Sequence, residues 1–209
     1  MEPGQTKQSI EMQTQNATYQ TQYCPVEKIK LRQYVRIPTA FEVSSILKVE
    51  LIDNGIGGIR FVEEPVPKPY IKNYDLIDNP LGWTNMFFMA NWRMIIAYDR
   101  ELPVGGAIVL WRDQGVSMLE GRSDLALLWD IRVMPDYRRS GVGRTLFAEA
   151  AKWARERDCK QLKIETQNTN VAACRFYAKM GCKLGQMNRY AYQDQSVQHE
   201  TMLCWYFDL

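Results

Sequence analysis

The sequence predicts a mixed α/β fold in which helices flank one mostly antiparallel sheet. Three observations support this prediction. Apolar segments joined by short turns in the first half are typical of antiparallel strands. Residues 125–135 form an apolar run that ends at a proline and leads into a glycine-containing turn and an amphipathic segment, which indicates a strand followed by a helix. A second strand and helix, with closing strands, complete a pattern typical of one sheet with helices packed on it.

The first residues differ in composition from the rest of the chain. Residues 1–22 are rich in glutamine and threonine and contain few large apolar side chains, so burial cannot offset the entropy lost on ordering. They are predicted to form a flexible polar tail, and residues 23–209 are predicted to form a single domain. Residues 45–70 place an Asn-Gly pair between two apolar segments, which predicts a hairpin, although a helix over residues 41–51 is an alternative. Residues 93–112 predict a strand, a short turn and a second strand.

The second half of the chain predicts two helices and three further strands after the apolar strand that Pro135 ends. Residues 160–168 alternate as a strand, residues 170–180 predict a short helix, and residues 188–193 and 200–209 predict terminal strands. Within the longer helix the apolar residues share one face, while the last turn is charged and predicted to be in solvent. The apolar face contains Leu146, Phe147, Ala150, Ala151 and Ala154, and the charged end contains Arg155, Glu156, Arg157 and Asp158.

Composition excludes several classes of function. The chain has 26 basic and 24 acidic residues, so its charge of +2 provides no reason to expect a nucleic acid or a membrane as partner. Five cysteines without a C-x-x-C spacing, and a single histidine, predict neither a disulfide framework nor a metal site. There is no apolar run of the ~20 residues that a membrane span needs and no signal-peptide pattern, so a cytoplasmic protein is expected.

A cationic turn precedes the longer helix. Its arginines and glycines follow a predicted strand, where backbone N–H groups and the helix dipole favour an anion, most often a phosphate. The turn is neither a P-loop nor a complete dinucleotide fingerprint. By itself the pattern Arg138-x-x-Gly141-x-Gly143 is a weak signal, and a solvated basic loop is the alternative.

A second pattern lies about thirty residues later. It has the form N-x-x-A-x-x-F-Y-x-x-x-G, carried by Asn170, Ala173, Phe176, Tyr177 and Gly181. Together the two patterns resemble the GNAT superfamily of acyl-CoA N-acyltransferases. The resemblance implies the GNAT fold for the domain at residues 23–209, acetyl-CoA as co-substrate without a metal, and a small-molecule amine as acceptor. It also implies a homodimer, to which the apolar C-terminal strand would contribute.

The resemblance further implies which residues bind acetyl-CoA. The turn formed by Arg138, Arg139, Ser140, Gly141, Val142, Gly143 and Arg144 would hold the pyrophosphate. The backbone of Ile131, Arg132 and Val133, on a strand that splays from its neighbour, would pair with the pantetheine arm, and Asn170 would bond the arm from the other side.

Acetyl transfer to an amine requires an oxyanion stabiliser, a proton for the leaving thiolate and a base. The N–H of Val133 is a candidate for the oxyanion and Tyr177 for the thiolate, because a phenol of pKa ~10 stays protonated at neutral pH. An amine of pKa ~10.4 is mostly protonated at pH 7, so a carboxylate base is expected. Asp130 is the first candidate for this base, because a charged side chain inside an apolar strand is costly to bury and so indicates a function. Glu165 is the second candidate.

Each catalytic assignment has a structural alternative. Tyr177 is alternatively a packed helix residue. Asp130 is alternatively paired with an arginine such as Arg132 or Arg93, and Glu165 alternatively faces solvent or pairs with Lys163.

Several segments resemble the streptothricin acetyltransferase branch of the superfamily, including residues 127–143, 162–185 and 203–209. That resemblance implies transfer of acetyl to an amine on the β-lysine arm of streptothricin, which would confer antibiotic resistance. Carboxylates and aromatic faces would bind such a cation, and the candidates are Asp75, Trp83, Glu120 and Asp130. The alternatives are a core position for the tryptophan and solvent for the loop carboxylates. Another basic amine (a polyamine, an aminoglycoside or a protein amine) and a non-catalytic acyl-CoA-binding module are the competing functions.

Overall fold

The computed structural model describes residues 19–209, and within that range the chain forms one large sheet, one separate hairpin and four helices. The strands are β1 (Gln20–Cys24), β2 (Phe41–Ile52), β3 (Gly58–Lys72), β4 (Trp92–Asp99), β5 (Leu102–Trp111), β6 (Leu125–Val133), β7 (Gln161–Gln167), β8 (Lys183–Asn188) and β9 (Met202–Asp208). The helices are α1 (Lys28–Tyr34), α2 (Pro80–Met86), α3 (Val142–Arg155) and α4 (Val171–Lys179).

The large sheet has the order β1-β4-β5-β6-β7-β9-β8. Its neighbouring strands are antiparallel except for β6 and β7, which pair in parallel in the middle of the sheet. A parallel pair needs a crossover, and α3 supplies it. Strands β2 and β3 form a separate antiparallel hairpin. The predicted fold class, a mostly antiparallel mixed sheet with flanking helices, is confirmed.

Both faces of the large sheet are covered by apolar side chains. On one face α3 and α4 pack with residues such as Phe147 and Trp153, and on the other face α1 and α2 pack with Leu31, Trp83 and Trp92. Helix α3 buries the predicted apolar face completely, because all five of its residues are buried. Of the four charged residues predicted at its end, Arg155 is the last residue of α3 and the other three form the turn that follows. Only Arg157 departs from the predicted exposure, since its guanidinium lies 3.7 Å from the centre of the Trp153 ring and is partly covered.

The first part of the chain differs from its predicted elements in two places. The hairpin over residues 45–70 is confirmed as β2 and β3, and the alternative helix over residues 41–51 is wrong, because cross-strand pairing takes precedence over helix propensity there. The tail was predicted to reach residue 22, but residues 20–24 form β1 and pair with β4. The remainder of that prediction, residues 1–18, lies outside the described residues.

The predicted strand over residues 188–193 is wrong beyond its first residue. The strand in this region is β8, which ends at Asn188, and a turn and an irregular loop follow. The alternating aromatic residues there do not pair with a neighbouring strand. No helix between residues 19 and 209 combines the length and apolar character needed to cross a bilayer.

Candidate active site between two splayed strands

The centre of the sheet opens where β6 and β7 separate. Their parallel pairing runs from Leu125 opposite Gln161 to Leu128 opposite Ile164 and stops there. On the other edge of β6, Val109 pairs with Leu128 and Ile108 with Asp130, so Trp129 is an extra residue in a β-bulge. A bulge bends its strand, and the residues after it diverge from β7. The resulting gap has residues 129–133 on one side and residues 165–167 on the other, which is the splay that the resemblance implied.

The cationic turn lies at the end of β6, where it opens α3. Gly141 is the N-cap of α3 and has φ +102°, a left-handed conformation that an L side chain rarely adopts. No side chain caps this helix start, and a Cβ on Gly141 would meet no atom within 4 Å. The first N–H groups of α3 therefore have no side-chain cap and can receive an anion.

The two sequence patterns meet at the start of α3. A Cβ on Gly143 would lie 3.6 Å from the Phe176 ring, so this glycine faces α4 and not the open side of the turn. The guanidinium of Arg138 is only partly free to bind an anion, because its Nη2 donates to the carbonyl of Ala40 at 2.8 Å. The side chains of Arg139 and Arg144 are exposed and belong to the same turn.

Helix α4 carries the other motif residues along the same gap. Asn170 caps the helix, with its Oδ1 accepting from the backbone N–H of Ala173 at 3.1 Å. Two turns later, Tyr177 is 4 % exposed and its ring packs on Phe176 with the ring centres 5.4 Å apart. Burial raises the pKa of the Tyr177 hydroxyl well above its ordinary value, and Tyr74 and Asp130 raise it further. The hydroxyl is therefore protonated at neutral pH and able to donate.

A buried ion-pair cluster lines the β6 side of the gap. The Arg132 side chain is 2 % exposed, and its Nε and Nη2 both donate to Oδ2 of Asp130. Its Nη1 donates to Asp75 at 3.0 Å and to the carbonyl of Ile37 at 3.1 Å. The guanidinium also lies over the ring of Tyr34, 4.5 Å from its centre. Burial raises the pKa of the Asp130 carboxyl, and Arg132 opposes that shift.

A hydrogen-bonded chain of neutral side chains lines the β7 side of the gap. The Tyr74 hydroxyl donates to Oε1 of Gln167. Nε2 of Gln167 donates to the Tyr192 hydroxyl at 2.8 Å, and that hydroxyl donates to Oε1 of Glu165 at 2.7 Å. Unlike Asp130, Glu165 is therefore held by neutral groups and forms no ion pair within the described residues. A carboxylate held in this way can accept a proton without first losing a cationic partner.

The comparison with family models identifies the family to which these two motifs belong. The model of the "Acetyltransferase (GNAT) family" matches residues 50–182, which is more than half of the chain. The chain belongs to the GNAT acetyltransferase family. The match includes the splayed strands, the cationic turn and α4, so this enzyme is an N-acetyltransferase of the GNAT type that uses acetyl-CoA.

Known proteins similar to this acetyltransferase include streptothricin acetyltransferases. Streptothricin acetyltransferase A of Bacillus subtilis (strain 168) is 29 % identical over 162 residues, which are 76 % of this chain and 84 % of that protein. A Bacillus anthracis structure described as a streptothricin acetyltransferase in complex with acetyl coenzyme A is 26 % identical, with a TM-score of 0.70 over 91 % of this chain and 100 % of the other. The fold also matches a nourseothricin acetyltransferase, with a TM-score of 0.70, 23 % identity, and 90 % and 98 % coverage.

The structure brings some of the predicted acceptor residues of the acetyltransferase together and separates others. Asp75 and Asp130 share Arg132 at the gap. Trp83 does not line the gap as a ligand contact: it is 2 % exposed, packs in the core and donates its indole N–H to Asp78 at 2.6 Å. Trp83 is therefore a core residue and not the predicted acceptor contact, because packing covers nearly all of its surface.

Glu120 also departs from the prediction. Its Oε1 accepts from Nζ of Lys163 at 2.6 Å and from the hydroxyl of Tyr206 at 2.9 Å. Lys163 pairs with Leu127, in the part of β7 that is still joined to β6. Glu120 therefore lies at the closed end of the strand pair and not at the gap, and Lys163 is not available to pair with Glu165.

No sequence pattern indicates the polar residues on the β7 side of the gap. Tyr192 lies in the predicted strand over residues 188–193, which does not form, and Gln167 lies inside the predicted strand over residues 160–168. A long-range hydrogen-bonded chain leaves no periodic signal, so only the assembled fold reveals it. No cluster of three or more histidine, cysteine, aspartate or glutamate side chains suited to a metal occurs within residues 19–209.

Proposed function

We propose that this acetyltransferase transfers the acetyl group of acetyl-CoA to the β-lysine amine of streptothricin. The observation that carries the proposal is the gap between β6 and β7, which has an anion-receiving turn at one end and an excess of carboxylates along its sides. Similarity to streptothricin acetyltransferase A over 76 % of the chain favours this antibiotic over other amines.

The pyrophosphate of acetyl-CoA binds to the open N–H groups at Gly141–Arg144, with Arg139 and Arg144 adding charge. The pantetheine arm then extends along the unpaired edge of residues 131–133, where backbone N–H and C=O groups have no partner on β7. Nδ2 of Asn170 is the donor on the opposite side, because its Oδ1 is occupied by the helix cap. This path brings the thioester sulfur towards Tyr177.

The acceptor amine approaches from the side of the carboxylates. Asp75 and Asp130 share one guanidinium, that of Arg132, and Glu165 has no cationic partner among the described residues, so the gap has more negative than positive charge. A cationic amine is attracted to such a site before it loses its proton. A β-lysine arm carries amines of this kind.

In the reaction, Glu165 removes one proton from the ammonium group of the acceptor, and the free amine attacks the thioester carbonyl. The new C–N bond forms as negative charge develops on the carbonyl oxygen, which the N–H of Val133 stabilises. When the C–S bond breaks, the Tyr177 hydroxyl donates to the thiolate, and the second nitrogen proton leaves through solvent and restores the phenol. The products are the acetamide, free CoA thiol and one released proton.

The decisive experiment measures free-thiol release from acetyl-CoA by the purified enzyme. Streptothricin is compared with spermidine, kanamycin and a lysine-containing peptide, and the product is examined by mass spectrometry. Rapid release with streptothricin and a gain of one acetyl group on its β-lysine support the proposal. Faster turnover of another amine contradicts the substrate and leaves the reaction class in place. No turnover with any amine, despite binding of acetyl-CoA, favours a non-catalytic acyl-CoA-binding module.

Exchanging Gly141 for alanine is expected to weaken acetyl-CoA binding about tenfold, because the left-handed φ costs an L residue roughly 1–2 kcal/mol and the turn moves to relieve it. Isothermal titration with acetyl-CoA measures the change. The matched control is Gly143→Ala, whose Cβ would make an ordinary contact with Phe176 on the packed side of the helix. An unchanged affinity of Gly141→Ala for acetyl-CoA would contradict the assignment of this turn as the pyrophosphate site.

Exchanging Tyr177 for phenylalanine is expected to lower kcat by about 10²-fold while the acetyl-CoA Kd stays near the wild-type value. The ring contact with Phe176 is retained in this variant, so only the hydroxyl is lost. Steady-state kinetics and an acetyl-CoA titration separate the two effects. An equal loss of binding and turnover would assign Tyr177 a packing role.

A further inference from the structure

The loop between β8 and β9 is fastened to the gap at its C-terminal end. Glu200 is buried and pairs with the buried Lys72 at the end of β3. The adjacent Thr201 exchanges two hydrogen bonds with Asn168, whose backbone N–H donates to the Thr201 carbonyl at 3.0 Å and whose Oδ1 accepts from the Thr201 N–H at 2.8 Å. The loop is therefore anchored to β3 and to the residues that follow β7.

This loop delivers Tyr192 to the side of the gap where Glu165 lies. The Tyr192 hydroxyl donates to Oε1 of Glu165 at 2.7 Å and accepts from Nε2 of Gln167 at 2.8 Å, while a longer contact of 3.4 Å joins Nε2 of Gln167 directly to the same Oε1. Gln167 accepts in turn from the hydroxyl of Tyr74. Every donor in this chain points towards Glu165, so the chain has one direction and ends on Oε1. The second oxygen, Oε2, accepts no hydrogen bond from residues 19–209.

The environment keeps Tyr192 a donor. Burial raises the pKa of its hydroxyl far above the ordinary value, and the charge of Glu165 raises it further. Tyr192 therefore stays protonated and cannot itself act as the base. A glutamate side chain has three rotatable bonds, and a fixed donor on one oxygen restricts the direction in which the other oxygen points. A donor on Oε1 therefore leaves Oε2 as the oxygen that can accept a proton.

We propose that Tyr192 is a positioning residue of the acetyl transfer, which holds Glu165 through Oε1 so that Oε2 faces the acceptor amine. The proposal rests on the proposed function, because it requires Glu165 to take the proton of an amine. It adds a role for a loop that neither sequence motif contains. Tyr192 acts only through Glu165, so its contribution disappears when Glu165 cannot act as a base.

A double-mutant cycle tests this dependence. The variants are Y192F, E165Q and the double variant, and the matched control is Y190F, which removes the hydroxyl of a tyrosine in the same region that is 84 % exposed. We expect Y192F to lower kcat about tenfold, the effect of displacing a reacting group, with KM for acetyl-CoA unchanged. In the E165Q background, Y192F should produce no further loss. Y190F should behave as wild type.

Several outcomes overturn the proposal. If Y192F lowers kcat by the same factor in both backgrounds, Tyr192 does not act through Glu165. An unchanged kcat in Y192F excludes it as a positioning residue altogether. If Y192F melts far below wild type, kcat is measured at a temperature at which all four enzymes of the cycle are folded, and the same comparison of the two backgrounds applies.

The cycle is measured with whichever amine of the substrate panel the wild type acetylates fastest. A failure with streptothricin alone therefore contradicts the proposed substrate and leaves the test of Tyr192 intact. Additive losses in the cycle contradict the role of Tyr192 and leave the substrate intact. The absence of turnover with every amine overturns both.

Discussion

Replacing Glu165 with glutamine is expected to lower kcat by about 10²–10⁴-fold, the range that a positioned general base contributes. Glutamine has nearly the same shape and still accepts from Tyr192 through its carbonyl oxygen, so the side chain keeps its place and loses only its ability to take a proton. The acetyl-CoA Kd should not change, because Glu165 lies across the gap from the pyrophosphate turn. Stopped-flow thiol release and an acetyl-CoA titration measure the two quantities.

The comparison variant is Asp130→Asn, since Asp130 is the other candidate base. Oδ2 of Asp130 accepts two hydrogen bonds from Arg132, and this cation must be displaced or left unpaired when the carboxylate takes a proton. Its asparagine variant is therefore expected to lose stability more than catalytic power. A larger loss of kcat in Asp130→Asn than in Glu165→Gln, at equal folded fraction, would reverse the assignment of the base.

Replacing Arg132 with methionine is expected to destabilise the fold by about 3–5 kcal/mol, because Asp130 and Asp75 lose the buried cation that they share. Methionine keeps most of the apolar stem that packs over Tyr34 and cannot donate to a carboxylate. Urea unfolding measures the change. The control is Arg60→Met on the β2–β3 hairpin, where the exposed pair with Glu50 should contribute little.

The destabilisation caused by Arg132→Met should be larger at high pH than at low pH. Burial raises the pKa of Asp130 above its ordinary value even with Arg132 present, and losing Arg132 removes the group that opposes this shift. A carboxyl whose pKa is higher in the folded than in the unfolded state destabilises the fold at pH values above its folded-state pKa. At pH values below its unfolded-state pKa of ~3.9 it is protonated in both states and does not destabilise the fold. The difference between wild type and Arg132→Met should therefore shrink as the pH falls from about 8 towards 4. A difference that is constant over this range would mean that lost packing, and not the unpaired carboxylates, causes the effect.

Local sequence signals predicted the elements that lie next to each other in the chain. The apolar strand β6, the glycine turn and the amphipathic helix α3 are contiguous, and their hydrophobic pattern and left-handed glycine are properties of short segments. The same holds for the Asn170 cap of α4 and for the β2–β3 hairpin. The anion-receiving turn and the family were predictable for this reason.

Long-range contacts decided the remainder of the site. Three features of the site depend on the register of distant strands and on one bulge at Trp129. They are the pairing of Asp130 with an arginine, the position of Trp83 in the core or at a ligand, and the lysine nearest to Glu165. A one-residue change in register moves a side chain to the other face of a sheet, so the sequence left these alternatives open. The structure resolved them by pairing Arg132 with Asp130 and Asp75 and by burying Trp83.

The sequence by itself determined the succession of β6, the glycine turn and α3, the β2–β3 hairpin and the acetyltransferase family, because these follow from periodicity, glycine conformation and short motifs. Only the tertiary structure decided which carboxylates stand at the gap and what holds each of them. Asp130 is held by a buried cation, and Glu165 is held by a tyrosine from a loop 27 residues further along the chain. Hydrogen bonds between such distant positions have no local signature, because they form only after the sheet has set the strands side by side.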